Sequence, residues 1–282
     1  MNDEGKLLYI VVCIYHVSLG EILKVIEKNI YGFNIRCIVV NNSTNVERLE
    51  CNNLDLTKWH YLVGSNSESE FSAYVEGLNF IHNFYSREHA PILIFNDTAI
   101  TKHNFTFYVN AALSHYSIIH RAQIPAIAGR VDKYNSICFS NPWSGINGYV
   151  SSFIMLINHN AAPIFIKSLV DINEYIVSDD DILNVNTWSN SMPMALREFI
   201  ISHLIDLDSP IAWYQAKNKN ISKKRINQKA RCVFHEHYIS GSLAKNGIMI
   251  SLFPTWKLMV KNVIFEQLAK IKRLWIRFSS GI

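Results

Sequence analysis

The sequence predicts an α/β fold built on an open sheet with helices on its faces, followed by an amphipathic C-terminal helix. Apolar runs of strand length alternate with amphipathic segments through the first hundred residues, as in βαβ units. Polar residues follow four consecutive strand-like runs. The chain has 282 residues, which is long enough to bury a core without disulfide or metal support.

The first hundred residues predict four strands and two helices. Residues 7–15 form an apolar run of strand length. Ser18 followed by Glu21 is a capping box, so a helix is expected to begin there and to run to about Lys28. The other elements predicted in this half are strands at residues 34–40, 59–63 and 92–95, and a helix whose apolar face carries Phe71, Tyr74, Leu78 and Ile81.

The second half of the chain is less regular. The predicted strands lie at residues 124–130, 149–158 and 231–235, and the predicted helices at 161–170, 192–207 and 240–246. The polar, basic stretch 218–231 is expected to be a loop. No internal repeat is present. We therefore expect one domain over residues 1–250 and an appended segment over 251–282.

Composition excludes several classes of protein. Hydrophobic residues make up 49% of the chain and charged residues 18%, which excludes a disordered chain. No apolar run reaches the roughly 20 residues of a membrane span, and the first six residues lack the apolar core of a signal peptide. Five cysteines without a C-x-x-C pair are expected to be buried thiols rather than a zinc site or a disulfide framework. We expect a cytoplasmic location.

Positive charge is concentrated at the C-terminus. The net charge is +4, and residues 252–282 contain six basic residues and one acid, so the rest of the chain is close to neutral. A helical wheel places an apolar stripe opposite Glu266, Lys270, Arg273 and Arg277. The stripe consists of Val263, Ile264, Leu268, Ile271, Leu274, Trp275 and Phe278. Two interpretations stay open: the helix lies on an anionic membrane surface, or the stripe packs on the chain's own core. No basic stripe with interleaved aromatics predicts nucleic-acid binding.

Polar residues at the predicted strand ends indicate a ligand site. The four pairs are Tyr15-His16, Asn41-Asn42, Ser65-Asn66 and Asn96-Asp97. Because open α/β sheets bind ligands outside the carboxyl ends of their strands, we expect these pairs to lie close together. The pattern alone does not name the ligand.

Five segments together resemble one enzyme family. They are VVNNS at residues 39–43, GSNSESEFSAYVEGL at 64–78, ILIFNDT at 92–98, YVSSFIMLIN at 149–158 and FHEHYISGSLAKNGIMI at 234–250. These segments resemble bacterial polysaccharide glycosyltransferases of the GT-A type, related to family 2. The resemblance covers roughly residues 6–250, and its more specific motifs are residues 70–78 and 95–98.

The resemblance implies a GT-A-like, Rossmann-like open mixed sheet flanked by helices, and transfer of a sugar from a nucleotide donor to a glycan. The strand-end pairs would then contact the nucleotide sugar, and the resemblance adds Glu76 to them. A carboxylate such as Asp97 would hold Mg²⁺ or Mn²⁺ across the two phosphates.

The acidic motif departs from the family pattern. Asn96-Asp97-Thr98 contains one carboxylate where many relatives have two or three. The alternative to a metal is therefore that basic side chains neutralise the phosphates. Candidates are Lys102, Arg130 and the bases of residues 218–231.

An inverting transferase needs a general base that deprotonates the acceptor hydroxyl. One candidate is the acidic loop at Asp180 and Asp181, and the rival is Glu236. Glu236 lies between His235 and His237, which would share a face on a strand. A zinc site is the alternative interpretation of this triplet, without a recognisable third ligand.

The expected function is glycosyl transfer to a lipid-linked O-antigen, capsule or lipopolysaccharide glycan at the inner face of the bacterial cytoplasmic membrane. One alternative is a catalytically degenerate partner of a glycan-assembly complex that binds sugar or nucleotide. Another nucleotide-dependent transferase is the second alternative, although the chain lacks the common glycine-rich phosphate loops.

Overall fold

The computed structural model describes residues 6–43, 55, 57–85, 88–134, 140–177, 181–209, 211–213 and 221–279, with residue 270 and residues 272–279 described by their backbone alone. The strands are β1 (Lys6–Ile14), β2 (Phe33–Asn41), β3 (Trp59–Val63), β4 (Ile92–Asn96), β5 (Ala126–Asp132), β6 (Tyr149–Ile157) and β7 (Ile248–Ser251). The helices are α1 (Leu19–Asn29), α2 (Glu70–Tyr85), α3 (Thr98–Thr101), α4 (Phe105–Ser114), α5 (Tyr116–Arg121), α6 (Ala162–Tyr175), α7 (Met194–Leu204), α8 (Lys223–Asn246) and α9 (Trp256–Ser279).

All described strands join one mixed sheet in the order β3-β2-β1-β4-β6-β5-β7. β1, β2, β3 and β4 pair in parallel, whereas β6 runs antiparallel to both β4 and β5. The predicted α/β class with an open mixed sheet is confirmed. The chain leaves β1 toward β2 and β3, then returns to place β4 on the other side of β1. The strand order therefore reverses between β1 and β4.

Alternate residues of β1 face opposite sides of the sheet. Leu8, Ile10 and Val12 belong to a core cluster with residues of α1 and α4. Tyr9 and Val11 belong to a second cluster, with residues of α2, α6 and α8. Since both faces of β1 are buried, its sequence is a continuous apolar run rather than an alternating one.

Local signals at two helices explain how α1 and α2 are placed. The Ser18 hydroxyl accepts the Glu21 N–H and the Glu21 carboxylate accepts the Ser18 N–H, so the predicted capping box is confirmed. Gly77 of α2 lies directly against β1, where an added Cβ would stand 2.4 Å from Val11 Cγ1. The glycine therefore permits α2 to approach the central strand closely.

Two predictions for residues 218–235 are wrong, because residues from Lys223 onward form the single long helix α8. Residues 231–235 are helical rather than extended, and residues 223–231 are not a loop. The physical reason is that α8 packs against two clusters at once. Cys232 and Ile239 lie in the second core cluster, together with residues of α2 and α6. Phe234 lies in a third cluster with residues of α7. Apolar residues therefore surround much of the helix and conceal a single 3.6-residue stripe.

Strand β7 and helices α3 to α5 were not predicted. β7 has four residues and pairs in parallel with β5. Its apolar run, residues 248–250, has only three residues, which is too short to predict a strand. Leu252 and Phe253, which follow it, are buried in the first core cluster.

The C-terminal helix α9 packs through the side opposite its apolar stripe. The Phe265 ring lies 4.7 Å from that of Phe107, the Tyr108 hydroxyl donates to Asn262 Oδ1 at 2.5 Å, and His103 Nδ1 lies 2.7 Å from Glu266 Oε1. The stripe residues with described side chains are each more than half exposed: Val263, Ile264, Leu268 and Ile271. The interpretation that these residues pack on the chain's own core is therefore wrong.

Helix α9 is too polar to span a bilayer, and none of the other described helices combines the required length and apolar character.

Candidate functional site

The candidate site lies at the carboxyl ends of β1 and β4, where the strand order reverses. Asp97 follows β4, and its Oδ2 accepts the backbone N–H groups of Tyr15 at 2.9 Å and His16 at 2.7 Å. These bonds tie the segment after β1 to the end of β4. Open α/β sheets bind ligands at such a reversal point.

A cavity of about 640 Å³ opens at this point. From the predicted strand-end residues, the structure brings to it Tyr15, His16, Asn66, Asn96 and Asp97. The opposite wall is one face of α8, which contributes Arg225, Gln228, Lys229, Cys232 and Glu236. These α8 positions are three or four residues apart or adjacent, the spacing of a single helical face.

Glu236, one of the three predicted candidates for the general base, lines this cavity and is half-buried. Its Oε1 accepts the N–H of Ser152 at 2.8 Å. Burial raises the pKa of Glu236 above its ordinary value, although nearby Lys229 and the bond from Ser152 oppose the rise. A carboxylate with a raised pKa beside a cavity has the properties of a general base or acid.

Lys229 provides a persistent positive charge in the same wall. Burial would lower its pKa, but the carboxylates of Glu236 and Glu70 outweigh burial, so the pKa lies above its ordinary value. Glu70 in turn accepts the Ser152 hydroxyl at 3.3 Å. Lys102 and Arg225 add two further basic side chains to the lining. Three carboxylates, those of Glu70, Asp97 and Glu236, line the same cavity, so it offers charges of both signs to a ligand.

A second cavity of about 380 Å³ adjoins the first and shares Tyr15 and His16 with it. Asn41, at the end of β2, lines this cavity together with Tyr61. The Asn41 amide donates to the Tyr61 hydroxyl at 2.7 Å, and its Oδ1 accepts the Ser43 N–H at 2.7 Å. The two cavities lie side by side along the ends of β2, β1 and β4, with Tyr15 and His16 between them.

Asn42, Ser65 and Glu76 do not line either cavity. The Asn42 amide donates to the Tyr15 hydroxyl at 3.1 Å and to the Ser69 carbonyl at 2.8 Å. Glu76 Oε1 accepts the Ser65 N–H at 3.1 Å. The side chains of Asn42 and Glu76 therefore hold the segment between β3 and α2 in place. They support Tyr15 and Asn66 instead of presenting their own polar groups to the cavity.

Arg130 and Asp181 also lie outside the cavity lining. The Arg130 guanidinium pairs with Asp132 at 2.9 Å and lies 6.0 Å from the ring of Phe153, which does line the cavity. Asp181 pairs with Lys223 Nζ at 2.5 Å at the start of α8. Asp180 is outside the described residues. Of the predicted bases that are described, the structure brings Glu236 to the cavity and not Asp181.

The predicted geometry of the His-Glu-His triplet is wrong, because the three residues are helical. His235 packs on Phe71, with ring centroids 4.8 Å apart. His237 has its Nδ1 2.6 Å from the Tyr134 hydroxyl, on another side of α8. Burial lowers the pKa of His237 to about 3, so its imidazole is neutral at physiological pH. The two imidazoles do not converge on one ligand position.

The donor set for a divalent cation is small. Within the described part of the chain, no group of three or more His, Cys, Asp or Glu side chains converges as a metal site. Asp97 contributes one buried carboxylate, and both of its backbone bonds are made by Oδ2. A single carboxylate fits Mg²⁺ or Mn²⁺ when substrate phosphates supply further oxygen ligands. Lys102, Arg225 and Lys229 provide a second source of positive charge for the same phosphates.

Several lining residues were not among the predicted site residues. They are Ser69, Glu70, Thr98, Thr101, His103, Ser151, Ser152, Phe153, Gln228 and Cys232. A helical reading of residues 223–246 would have placed Arg225, Lys229, Cys232 and Glu236 on one face. Ser151 and Ser152 were visible as polar residues inside the apolar run of β6.

Comparison with known proteins gives no family assignment. No protein-family model matches the chain, and no curated protein matches it significantly.

Proposed function

We propose that this chain is a GT-A-like glycosyltransferase that moves a sugar from a nucleotide-sugar donor to a glycan. The observation that carries the proposal is the cavity at the β1–β4 reversal, where Asp97, three basic side chains and the half-buried Glu236 face one space. Its chemistry suits a ligand with a diphosphate and a reacting hydroxyl. The proposal also draws on the motif resemblance at residues 64–78 and 92–98.

The two neighbouring cavities suggest how the parts of the donor would be divided between them. The nucleoside would occupy the smaller cavity, where Asn41 and Tyr61 offer polar groups and an aromatic ring. The diphosphate would lie beside Asp97, with Lys102, Arg225 and Lys229 opposing its charge as the bond to the anomeric carbon breaks. A divalent cation bound at Asp97 would supply further charge neutralisation of the leaving diphosphate.

Glu236 is the proposed general base. The acceptor oxygen would attack the anomeric carbon, the bond from that carbon to the diphosphate would break, and the acceptor proton would pass to Glu236. Trp213 also lines the larger cavity and offers an aromatic surface on which a sugar ring can stack. The proposed acceptor is a lipid-linked O-antigen, capsule or lipopolysaccharide glycan. The proposed location is peripheral, at the inner face of the bacterial cytoplasmic membrane.

A thermal-shift panel of UDP, GDP, CMP, dTDP and ADP, each with and without Mn²⁺, tests the proposal. A nucleotide that binds only the folded chain stabilises it by about 2.7 kcal/mol at a hundredfold excess over Kd. We expect one nucleotide to raise Tm in the wild type, and Glu236→Gln to retain that shift. If Mn²⁺ increases the shift in the wild type but not in Asp97→Asn, Asp97 holds the cation. No shift with any nucleotide would contradict the proposal.

The second candidate is a catalytically degenerate partner that binds a nucleotide or sugar without transferring it. One observation favours this candidate. Asp97 Oδ2 already accepts hydrogen bonds from the backbone N–H groups of Tyr15 and His16, so the motif has a structural role that does not require catalysis. The Glu236→Gln variant separates the candidates. Glycan assembly in cells collapses if the chain is a transferase and persists if it is a binding partner.

A further inference from the structure

The outward side of α9 presents an uncovered apolar surface. Val263, Ile264, Leu268 and Ile271 are 56%, 53%, 54% and 60% exposed. Met259 and Val260 are also about half exposed on the preceding turn. These six residues are called the α9 stripe from here on. They combine four residues of the predicted apolar stripe with Met259 and Val260, and they lie within one broad arc of the helix at 100° per residue.

The charges of α9 favour an anionic partner for this surface. Lys257 and Lys261 are exposed at the edge of the α9 stripe. Glu266 is the single acidic residue between positions 256 and 279. It is turned toward the body of the protein, where its side chain is 17% exposed and pairs with His103. The sequence adds Lys270, Lys272, Arg273 and Arg277 to the same helix.

We propose that the α9 stripe docks on an anionic lipid bilayer, with α9 lying in the plane of the membrane interface. Apolar residues on one face and lysines at its border are the features of interfacial helices that bind anionic lipid. A second copy of the chain is a poorer partner. A two-fold interface brings the same patch against itself, so the lysines beside the stripe would meet lysines.

Contacts between α9 and the cavity give this docking a consequence for the proposed function, on which this step rests. His103 pairs with Glu266 of α9 and lines the cavity. The His103 ring also stacks on Phe153, another lining residue, with centroids 4.0 Å apart. A bilayer-bound α9 would therefore hold the cavity in one orientation to the membrane, within reach of an acceptor anchored in the lipid.

The test is co-sedimentation of the full chain with vesicles of phosphatidylcholine alone or mixed with phosphatidylglycerol at about 7:3, chosen so that anionic lipid is the variable. We expect the wild type to bind the mixed vesicles at least about tenfold more tightly than the neutral ones. Ile264→Glu with Ile271→Glu should abolish binding. The matched control is Ile118→Glu with Val170→Glu, which changes two exposed apolar residues outside α9 and should bind like the wild type.

A second pair of variants tests the charge. Lys257→Gln with Lys261→Gln should weaken binding to the mixed vesicles roughly 30-fold, from the usual contribution of a lysine near an anionic surface. Lys24→Gln with Lys28→Gln, on the exposed side of α1, is the matched control and should have no effect. Circular dichroism of each variant establishes that it is folded before binding is compared.

Two results would overturn the proposal. One is a folded wild type that does not bind the mixed vesicles. The other is a wild-type dimer in light scattering that Ile264→Glu with Ile271→Glu makes monomeric, without vesicle binding by either form, which would assign the α9 stripe to a second copy. Vesicle binding is measured without nucleotide, and the nucleotide panel without lipid. Failure of this proposal is thus distinguishable from failure of the proposed function.

Discussion

Asp97 combines a structural role with a place in the cavity wall. Its Oδ2 accepts two backbone N–H groups from the segment after β1, and the residue is 3% exposed. A substitution that removes Oδ2 therefore disturbs the backbone geometry of the site as well as its charge. Replacing Asp97 by Ala cannot by itself distinguish loss of catalysis from loss of local structure.

Asp97→Asn and Asp97→Ala should differ in stability. Asn keeps an oxygen that can accept both N–H groups, so we expect the free energy of unfolding to fall by less than about 1 kcal/mol. Ala leaves two N–H groups without their partner and should cost about 2–4 kcal/mol. Urea unfolding of both variants measures the difference. Equal losses would mean that the charge, and not the two hydrogen bonds, holds the segment.

Glu236 should determine the acidic limb of the pH–rate profile of the proposed transferase. Burial raises its pKa, so the proton-accepting form is lost at a higher pH than for an ordinary glutamate. We expect Glu236→Gln to lower turnover by about 10²- to 10⁴-fold across the pH range. Exposed Glu198→Gln is the control. A variant that keeps wild-type turnover and the same acidic limb would exclude Glu236 as the base.

Helix α2 depends on a close approach to β1 that one glycine permits. Gly77→Ala places a methyl group 2.4 Å from Val11 Cγ1. We expect a loss of about 1–3 kcal/mol in the free energy of unfolding from overpacking, although alanine is the better helix former. Gly20→Ala in α1 has no heavy atom within 4 Å of the added carbon and should be neutral or stabilising. Thermal unfolding compares the two, and a stabilised Gly77→Ala would contradict the packing.

The attachment of α9 should weaken in acid through Glu266. Burial would raise its pKa, but His103 and the Tyr108 hydroxyl outweigh burial and lower the pKa to about 2. A carboxylate with a lowered pKa in the folded state stabilises the fold fully above the unfolded value of 4.5, and this contribution disappears as the pH falls toward 2. The stability difference between wild type and Glu266→Gln should therefore shrink as the pH falls below 4.5. Urea unfolding at several pH values measures it, and a constant difference down to pH 3 would refute the pairing.

The molecule as a whole includes α9 in its packing, even though the helix leaves its stripe exposed. Truncation after Thr255 removes the contact of Phe265 with Phe107 and the polar contacts of Asn262 and Glu266. Because Phe265 and Leu258 lose their partial burial and two hydrogen bonds are lost, we expect a loss of about 2–5 kcal/mol. Urea unfolding of the truncated and full chains tests this. A change within about 0.5 kcal/mol would show that α9 is not packed in solution.

The site was predictable where one strand or one turn carried the signal. Asn96 ends β4, Asp97 follows it and His16 lies two residues after β1, and the structure brings all three to one cavity. Asn42 and Glu76 carry the same polar character, but their hydrogen bonds are made inside the protein. Whether a polar side chain faces a cavity or a neighbouring loop depends on partners distant in the chain, which local pattern does not contain.

The sequence by itself determined the α/β class, the strands of the β1–β4 half and the start of α1, because apolar runs and capping residues act over a few neighbouring residues. Tertiary structure decided the rest. Residues of α8 are helical because the helix packs against two core clusters at once. That packing brings Glu236 and Lys229 opposite Asp97. Tertiary structure also decided which side of α9 is buried. The side that contacts Phe107, Tyr108 and His103 packs on the protein, and the larger apolar stripe stays exposed. Contacts between distant segments make these choices, and no local periodicity encodes them.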